Sequence, residues 1–259
     1  MDQQPLVSIC TVTYERPGLL LLLEKRIKSQ TYPLDRIQWV ILDDSPQPHS
    51  HYSSPLITTS KLTIKYVHLP EKLPLGKKRN ECHLHCDGEI IVYMDDDDFY
   101  PPTRIEHAVE SLSKSNKEIA GSSILPILFI EKVDLWLAGP YGENHATAGT
   151  FAFKRSFLDS SKFTDEDTFG EEKKFLKNYT APMLQLDPFQ TIVCIAHESN
   201  TYDKHQMLPE PGSDNNPKCR MKRHNNLSES QAKALRMIAQ EHVAATLSFR
   251  NTSKQGITF

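Results

Sequence analysis

The sequence predicts an α/β fold with a mostly parallel central sheet and helices on both of its faces. Three observations predict it. Short β-branched runs alternate with helical stretches through the first hundred residues. Acidic clusters follow two of those runs directly. The chain has 259 residues, enough to bury one sizeable core. Hydrophobic residues at 38% and charged residues at 24% fit a globular molecule. The net charge of −3 gives no reason to expect nucleic acid as a partner.

The elements follow in order. Val7 to Val12 is short and β-branched and reads as a buried strand. Pro17-Gly18 opens a leucine-rich helix from about Leu19 to Ser29, since proline suits a first helical turn. Ile37 to Leu42 is the second strand and ends on Asp43-Asp44-Ser45. A proline-bearing polar loop leads to a third strand over Leu62 to Leu69. A helix is predicted over Gly76 to Cys86, a fourth strand over Glu89 to Met94, and a helix from Pro101-Pro102 to about Ser115.

The second half is less regular, with apolar runs at Ile124–Ile130, Thr150–Phe153 and Thr191–Ala196 and a helix beginning near Glu171. Residues 1–203 form the main domain, with a first half over 1–100 and a second over 101–203. Residues 204–226, with five basic against two acidic side chains, read as a polar basic linker, and 227–259 as a C-terminal amphipathic helix and tail. Ser228 and Gln231 fit a capping box, and Leu235, Ile238, Ala239, His242 and Val243 share one face of the helix. That face either packs on the domain, pairs with another subunit in a homodimer, or touches a membrane surface; packing is the default.

The N-terminus lacks the charged start and apolar run of a signal peptide. No apolar stretch reaches the ~20 residues a membrane helix needs. The five cysteines, at 10, 82, 86, 194 and 219, show no zinc-ribbon spacing. Buried reduced thiols in a cytoplasmic protein, free or peripheral to a membrane, are the expectation. The sequons at Asn178, Asn226 and Asn251 then carry no sugar.

In a parallel sheet ligands gather beyond the carboxyl ends of the strands. Asp43-Asp44 and Asp95-Asp96-Asp97-Asp98 both lie at such ends and are expected to share one crevice. Four adjacent carboxylates repel one another unless a cation or solvent relieves them. A solvated acidic turn is the plain alternative, but the run abuts a buried strand and cannot all point outward. Alternation puts Asp95 and Asp97 on one side, where both can reach one ion. Carboxylate oxygens suit Mg²⁺ or Mn²⁺, which commonly share their shell with substrate phosphates. Lys77, Lys78 and Arg79 supply cations nearby, so the two clusters together describe a metal–diphosphate site.

Four stretches carry a resemblance: Val7-Ser8-Ile9-Cys10-Thr11-Val12-Thr13-Tyr14-Glu15-Arg16-Pro17, Val40-Ile41-Leu42-Asp43-Asp44-Ser45, Gly76-Lys77-Lys78-Arg79-Asn80 and Tyr93-Met94-Asp95-Asp96-Asp97-Asp98. In order and spacing they resemble glycosyltransferase family 2 over roughly residues 5–200. The resemblance implies the GT-A fold, which is Rossmann-like, and inverting transfer from a UDP-, GDP- or dTDP-sugar to a hydroxyl of a glycan or other acceptor.

Residue by residue, the resemblance implies that Thr13 and Tyr14 line the nucleotide pocket. Asp43 takes a hydrogen bond from the base, and Asp44 supports its turn. Arg79 faces the diphosphate or nucleotide. Asp95 approaches the ribose and the metal shell, and Asp97 matches the last position of the family's DxD motif and binds the metal. Asp96 departs from the small residue common between them and has no assigned role; Asp98 supports the run.

Phe169 to Leu176 resembles the segment that carries the family's general base. Glu172 takes that position, one methylene longer than the usual aspartate, with Glu171 beside it on the acceptor side. His197 resembles a late histidine supplied to the metal or diphosphate, and an imidazole among carboxylates favours Mn²⁺ over Mg²⁺.

Trp136, Tyr141, Asn144, His145 and Thr147 fall in a stretch read as an acceptor-facing loop; Trp136 serves either there or in the core. Two rival functions stand beside this one. A nucleotidyltransferase shares the metal–diphosphate logic but normally carries a Gly-rich basic loop where this chain has Thr13-Tyr14-Glu15-Arg16-Pro17. An inactive carbohydrate-binding protein would not need to keep every acidic position.

Overall fold

The computed structural model describes residues 4–52, 56–59, 61–198, 200, 202–210 and 220–255. Its first half runs β1 (Val7–Thr13), α1 (Pro17–Lys28), β2 (Ile37–Asp43), β3 (Leu56–Thr59), β4 (Leu62–His68), α2 (Leu75–His83), β5 (Ile90–Tyr93) and α3 (Arg104–Ser113). Its second half runs β6 (Ile119–Gly121), β7 (Leu125–Phe129), β8 (Asp134–Ala138), β9 (Ala152–Lys154), α4 (Glu172–Phe175), β10 (Met183–Gln185), α5 (Pro188–Thr191), β11 (Cys194–Ala196), β12 (Met221–Arg223) and α6 (Glu229–Gln255).

Eight strands form one sheet in the order β10-β6-β9-β5-β1-β2-β4-β3. Strands β5, β1, β2 and β4 are parallel neighbours, with Val7 opposite both Ile37 and Ile90. Alternation sends the two halves of each strand to opposite cores. Val7, Ile9, Trp39, Ile41, Ile90 and Val92 join α1 and α3 on one face. Cys10, Val40, Leu42, Ile91 and Tyr93 join α2 and a group of phenylalanines on the other. Phe163 and Phe175 stack there with centroids 4.2 Å apart. Helices on both faces and a mostly parallel centre are as the sequence predicts.

A second sheet of four strands, ordered β11-β7-β8-β12, carries no signal in the sequence. Its last strand corrects the reading of 204–226 as a linker: Met221 to Arg223 pair antiparallel with β8, and Lys204–Met207 form a 3₁₀ turn. The antiparallel edge strand β3 is likewise unforeseen. Cys10, Cys82, Cys86 and Cys194 are buried free thiols, as expected; Cys219 lies outside the described residues.

Helix α6 starts on the expected capping box. Gln231 donates its N–H to Ser228 Oγ at 3.2 Å, and Gln231 Oε1 accepts from the Ser228 N–H at 2.8 Å. Leu235, Ile238 and Ala239 pack on Leu128, Leu135 and Ile195 of the small sheet and on Val193 just before β11, and the helix also packs against α1. The expected apolar face is therefore used within the chain, except that Val243 turns outward and is exposed. Among the described residues no helix is long and apolar enough to cross a membrane.

Candidate active site

A cleft of about 890 Å³ opens beyond the carboxyl ends of β1 and β5. It is lined by the β1–α1 turn, the start of α2, the four aspartates, Thr147 to Gly149, Thr168 to Glu172, Asn200, Tyr202 and Lys204 on the far side, and Ala245 and Thr246 of α6.

The β1 strand delivers Thr13, whose hydroxyl donates to Asp96 Oδ2 at 2.5 Å. Glu15 then takes a left-handed conformation (φ 52°), its N–H held by Ser45 Oγ at 2.7 Å. The turn swings Arg16 over the acidic run. Its Nη1 lies 2.7 Å from Asp97 Oδ2 and 3.1 Å from Asp96 Oδ1. Tyr14 lines the cleft with the Lys72 ammonium 3.8 Å from its ring centroid.

Within the run, Asp95 and Asp97 are partly exposed while Asp96 and Asp98 are buried, so alternation holds through all four. Asp96 has a structural part after all: it receives both Thr13 and Arg16. Asp98 Oδ1 accepts from the Ile195 N–H at 2.8 Å and so ties the run to β11 in the small sheet. Burial pushes the carboxyls of Asp96 and Asp98 up, to about 6 and about 7. Burial acts the same way on Asp97, but Arg16 and His197 outweigh it and hold that carboxyl well below the usual range.

Asp97 Oδ2 collects three neighbours: Arg16, His197 Nε2 at 3.2 Å and Asn200 Nδ2 at 3.2 Å. His197 stands behind the lining, its Nε2 also 2.8 Å from Asn200 Nδ2. From α6, the His242 ring packs 4.7 Å from it. Asp95, Asp97 and His197 form a donor set of hard oxygens and one imidazole, which fits a divalent cation. Among the described residues no three His, Cys, Asp or Glu side chains converge closely enough to hold an ion alone. An ion at the run would therefore need most of its shell from donors other than these side chains.

Helix α2 presents its cations because its N-terminal turn lies against the 164–167 loop; a Cβ on Gly76 would meet the Thr164 carbonyl oxygen at 1.9 Å. Arg79 Nε donates to Glu171 Oε1 at 2.8 Å, and Nη1 to Asp95 Oδ1 at 3.3 Å. Glu172, next along, lines the cleft and accepts the Ala148 N–H at 3.1 Å. Burial and then the neighbouring Glu171 push its carboxyl up. The two adjacent glutamates thus differ: one is spent on an arginine, and the other faces the cleft with a raised proton affinity.

Several expected residues lie elsewhere. Asp43 is 3% exposed: Oδ1 accepts the Ser45 N–H at 2.9 Å and the Ser45 hydroxyl, and Oδ2 accepts the Tyr66 hydroxyl at 2.7 Å. Oδ1 thus holds the turn after β2 and Oδ2 ties it to β4, and Asp43 is not among the residues that line the cleft. Asp44 pairs with Lys78 and accepts the Leu73 N–H at 2.8 Å, so its partners lie at and before the start of α2 and not in the turn after β2.

The stretch read as an acceptor loop begins as a strand: Trp136 lies in β8 opposite Ile127 and packs on the main core. Tyr141 and Thr147 line the cleft, but Asn144 and His145 stand behind it. Asn144 Oδ1 accepts the Met183 N–H at 3.2 Å, and His145 stacks on Tyr179 with centroids 4.5 Å apart.

Sequence reasoning missed Arg16, Lys72, Asn200, Tyr202, Lys204 and Thr246. Arg16 carries a signal, being the basic residue in the turn between the first parallel strand and α1. Lys204 and Thr246 carry none, since only the tertiary fold brings them to the cleft.

Comparison with known proteins bears on the fold and the family. A curated relative, an uncharacterized glycosyltransferase of Haemophilus influenzae, is 32% identical over 105 residues, which is 40% of this chain and 39% of that protein. Among solved structures, the mannosyltransferase PcManGT of Pyrobaculum calidifontis, in complex with GDP-Man and Mn²⁺, superposes with a TM-score of 0.59 at 13% identity, over 99% of this chain and 77% of its own. S. aureus TarS 1-349 in complex with UDP-GlcNAc gives a TM-score of 0.61 at 13% identity, over 98% of this chain and 76% of its own. At that identity the two structures speak for the fold. The family itself comes from the sequence: the model described as Glycosyl transferase family 2 matches residues 8–160, more than half of the chain and every part of the cleft up to Gly149, and the chain belongs to that family.

Proposed function

We propose that the chain is a metal-dependent inverting glycosyltransferase, moving a sugar from a nucleoside-diphosphate sugar to a hydroxyl of a glycan or other acceptor. The observation that carries this reading is the placing of Glu172 in the same cleft as Asp95 and Asp97, with its carboxyl pushed up by burial and Glu171. A base of raised proton affinity can take a hydroxyl proton as attack proceeds.

The residues divide the work. Tyr14, Thr13 and Lys72 form the nucleotide wall. Arg79, already charge-paired, faces the diphosphate. Asp95, Asp97 and His197 would hold the divalent cation, Mn²⁺ before Mg²⁺, which when bound supplies positive charge to the leaving diphosphate. Glu172 takes the acceptor proton on its free oxygen while the Ala148 N–H keeps the other in place. Tyr141 and Thr147 lie on the acceptor side. The nucleotide-sugars held by the two structural neighbours support a donor of this class.

The test is a panel of UDP-, GDP- and dTDP-sugars assayed for hydrolysis and transfer with and without Mn²⁺, using wild type and Glu172→Gln. A Mn²⁺-dependent transfer that Glu172→Gln abolishes is expected; no turnover of any donor by wild type overturns the reading.

A further inference from the structure

One corner of the cleft gathers hydrogen-bond donors that the protein itself leaves unspent. Tyr141 and Tyr202 both line the cleft, and the Arg220 guanidinium lies 5.4 Å from the Tyr141 ring centroid. Burial raises the Tyr141 pKa, Arg220 lowers it and Tyr202 raises it further, so the three groups feel one another. Elsewhere in the chain Tyr32, Tyr52, Tyr66 and Tyr100 spend their hydroxyls on protein partners. Among the described residues the hydroxyls of Tyr141 and Tyr202 have no such partner, and no carboxylate pairs with Arg220. The contrast with its neighbours is direct: Arg223 pairs with Asp134, Arg16 with Asp96 and Asp97, and Arg79 with Asp95 and Glu171.

We propose that Arg220, with the hydroxyls of Tyr141 and Tyr202, binds an anionic group carried by the acceptor, a phosphate or a carboxylate, so that the sugar passes to a charged glycan in preference to a neutral one. The inference rests on the reading of the cleft as a glycosyltransferase site and names the class of its acceptor.

The corner is built rather than incidental. The Arg220 carbonyl accepts the Gly139 N–H at 2.8 Å, which ties the residue to the end of β8. Tyr141 lies 5.0 Å from the His145 ring, and His145 stacks on Tyr179 at 4.5 Å. Burial and then Arg220 lower the His145 pKa, so the positive charge of the corner resides on Arg220. Tyr179 closes three consecutive left-handed residues, Lys177, Asn178 and Tyr179, with φ of 53°, 58° and 61°. Such backbone is costly without glycine and persists where the surroundings hold it. Burial, and then Glu172 and Glu171, raise the Tyr179 pKa, which puts its ring beside the base. A row of rings therefore runs from Glu172 to Arg220, and fixes the distance between the acceptor's reacting hydroxyl and any charge it carries.

The chemistry of the corner selects an anion. A guanidinium is donor only, and it grips carboxylate or phosphate with a fork of two N–H groups. A phenol hydroxyl adds a third donor direction at each tyrosine. The donor diphosphate belongs beside the acidic run and Arg79, which leaves this corner to the acceptor.

The experiment measures transfer by the full chain, from whichever UDP-, GDP- or dTDP-sugar it turns over, to methyl hexosides, their 6-phosphates and the matching uronates. Wild type, Arg220→Gln and Arg220→Lys are compared, with donor hydrolysis read alongside. Wild type is expected to favour a charged acceptor over its neutral match in kcat/KM by about tenfold or more. Arg220→Gln is expected to lose most of that preference through a raised KM, and Arg220→Lys to keep part of it as a point charge. The phosphate and carboxylate arms show which anion the corner takes. Equal use of charged and neutral acceptors by wild type, or a preference that survives in Arg220→Gln, overturns the proposal while donor turnover leaves the transferase reading standing. An equal fall for every acceptor in Arg220→Gln, with a lowered Tm, marks Arg220 as structural and overturns it as well. No turnover of any donor by wild type overturns the proposal and the transferase reading together.

Discussion

Arg79 and Glu171 meet at 2.8 Å across 92 residues of sequence, with side chains only 5% and 4% exposed. The same guanidinium reaches Asp95, so one arginine fastens the acidic run to the segment that presents Glu172. Burial disfavours its charge, but Asp95 and Glu171 outweigh this and raise its pKa. Removing one member of such a pair strands a buried charge, at a cost of about 3–5 kcal/mol. In a double-mutant cycle of Arg79→Met and Glu171→Gln, unfolding by denaturant should show a coupling of about 2 kcal/mol. Additive losses would show that the pair does not act together.

Glu172→Gln should lower kcat by about a hundred- to ten-thousand-fold while nucleotide affinity, read by calorimetry, stays the same. The active form of Glu172 is the ionised one, so activity should rise with pH on its acid side. Because burial and Glu171 raise the Glu172 pKa, this limb should lie above the usual carboxylate range. Glu171→Gln removes one of the two causes and should move the limb to lower pH. A limb that stays in place would separate it from this pair.

Gly149 lines the cleft close against Asp95. A Cβ there would lie 3.1 Å from Asp95 Oδ2 and 3.2 Å from Ile192 Cδ1. Gly149→Ala should leave the fold intact and cut kcat/KM by about ten- to a hundredfold through displacement of Asp95. The check is activity alongside thermal unfolding; a large fall in Tm with normal activity would contradict it.

His242 is 1% exposed, and neither ring nitrogen has a hydrogen-bond partner. Burial, and then His197, lower its pKa to about 3. An unfolded histidine takes a proton below about pH 6.5, whereas this one does not until about 3. Its contribution to stability is therefore lost as pH falls through that window. Asp96 and Asp98, with raised pKa values, work in the opposite direction, so the informative quantity is a difference between two chains. His242→Leu should be more stable than wild type by about 1 kcal/mol at pH 7, and by about 2 kcal/mol more at pH 5. A difference that does not change with pH would contradict the buried neutral state.

The parallel centre of the fold was legible because β1, β2 and β5 are short, β-branched and buried on both faces. The split of the acidic run into Asp95 and Asp97 against Asp96 and Asp98 followed from simple alternation. The start of α6 could be read from Ser228 and Gln231. The small sheet could not, because β11 and β12 have three residues each, too few for any period to show. The contacts of Asp43 were not legible for a different reason. Its position at a strand end is local information, but the Ser45 and Tyr66 groups that consume its oxygens are set by the turn and by β4. Trp136 shows the same limit: an aromatic residue near a site reads alike whether it faces a ligand or the core.

The cleft draws on both early and late parts of the chain, from the β1–α1 turn to Thr246 of α6, with α6 lying on α1. During synthesis the sheet and the acidic run are complete long before α6 emerges from the ribosome. Until it does, His197 lacks the ring that packs on it and one wall of the cleft is open to solvent. The site therefore takes shape only once α6 has emerged, and a nascent chain that already carries all four aspartates still lacks one wall of the cleft.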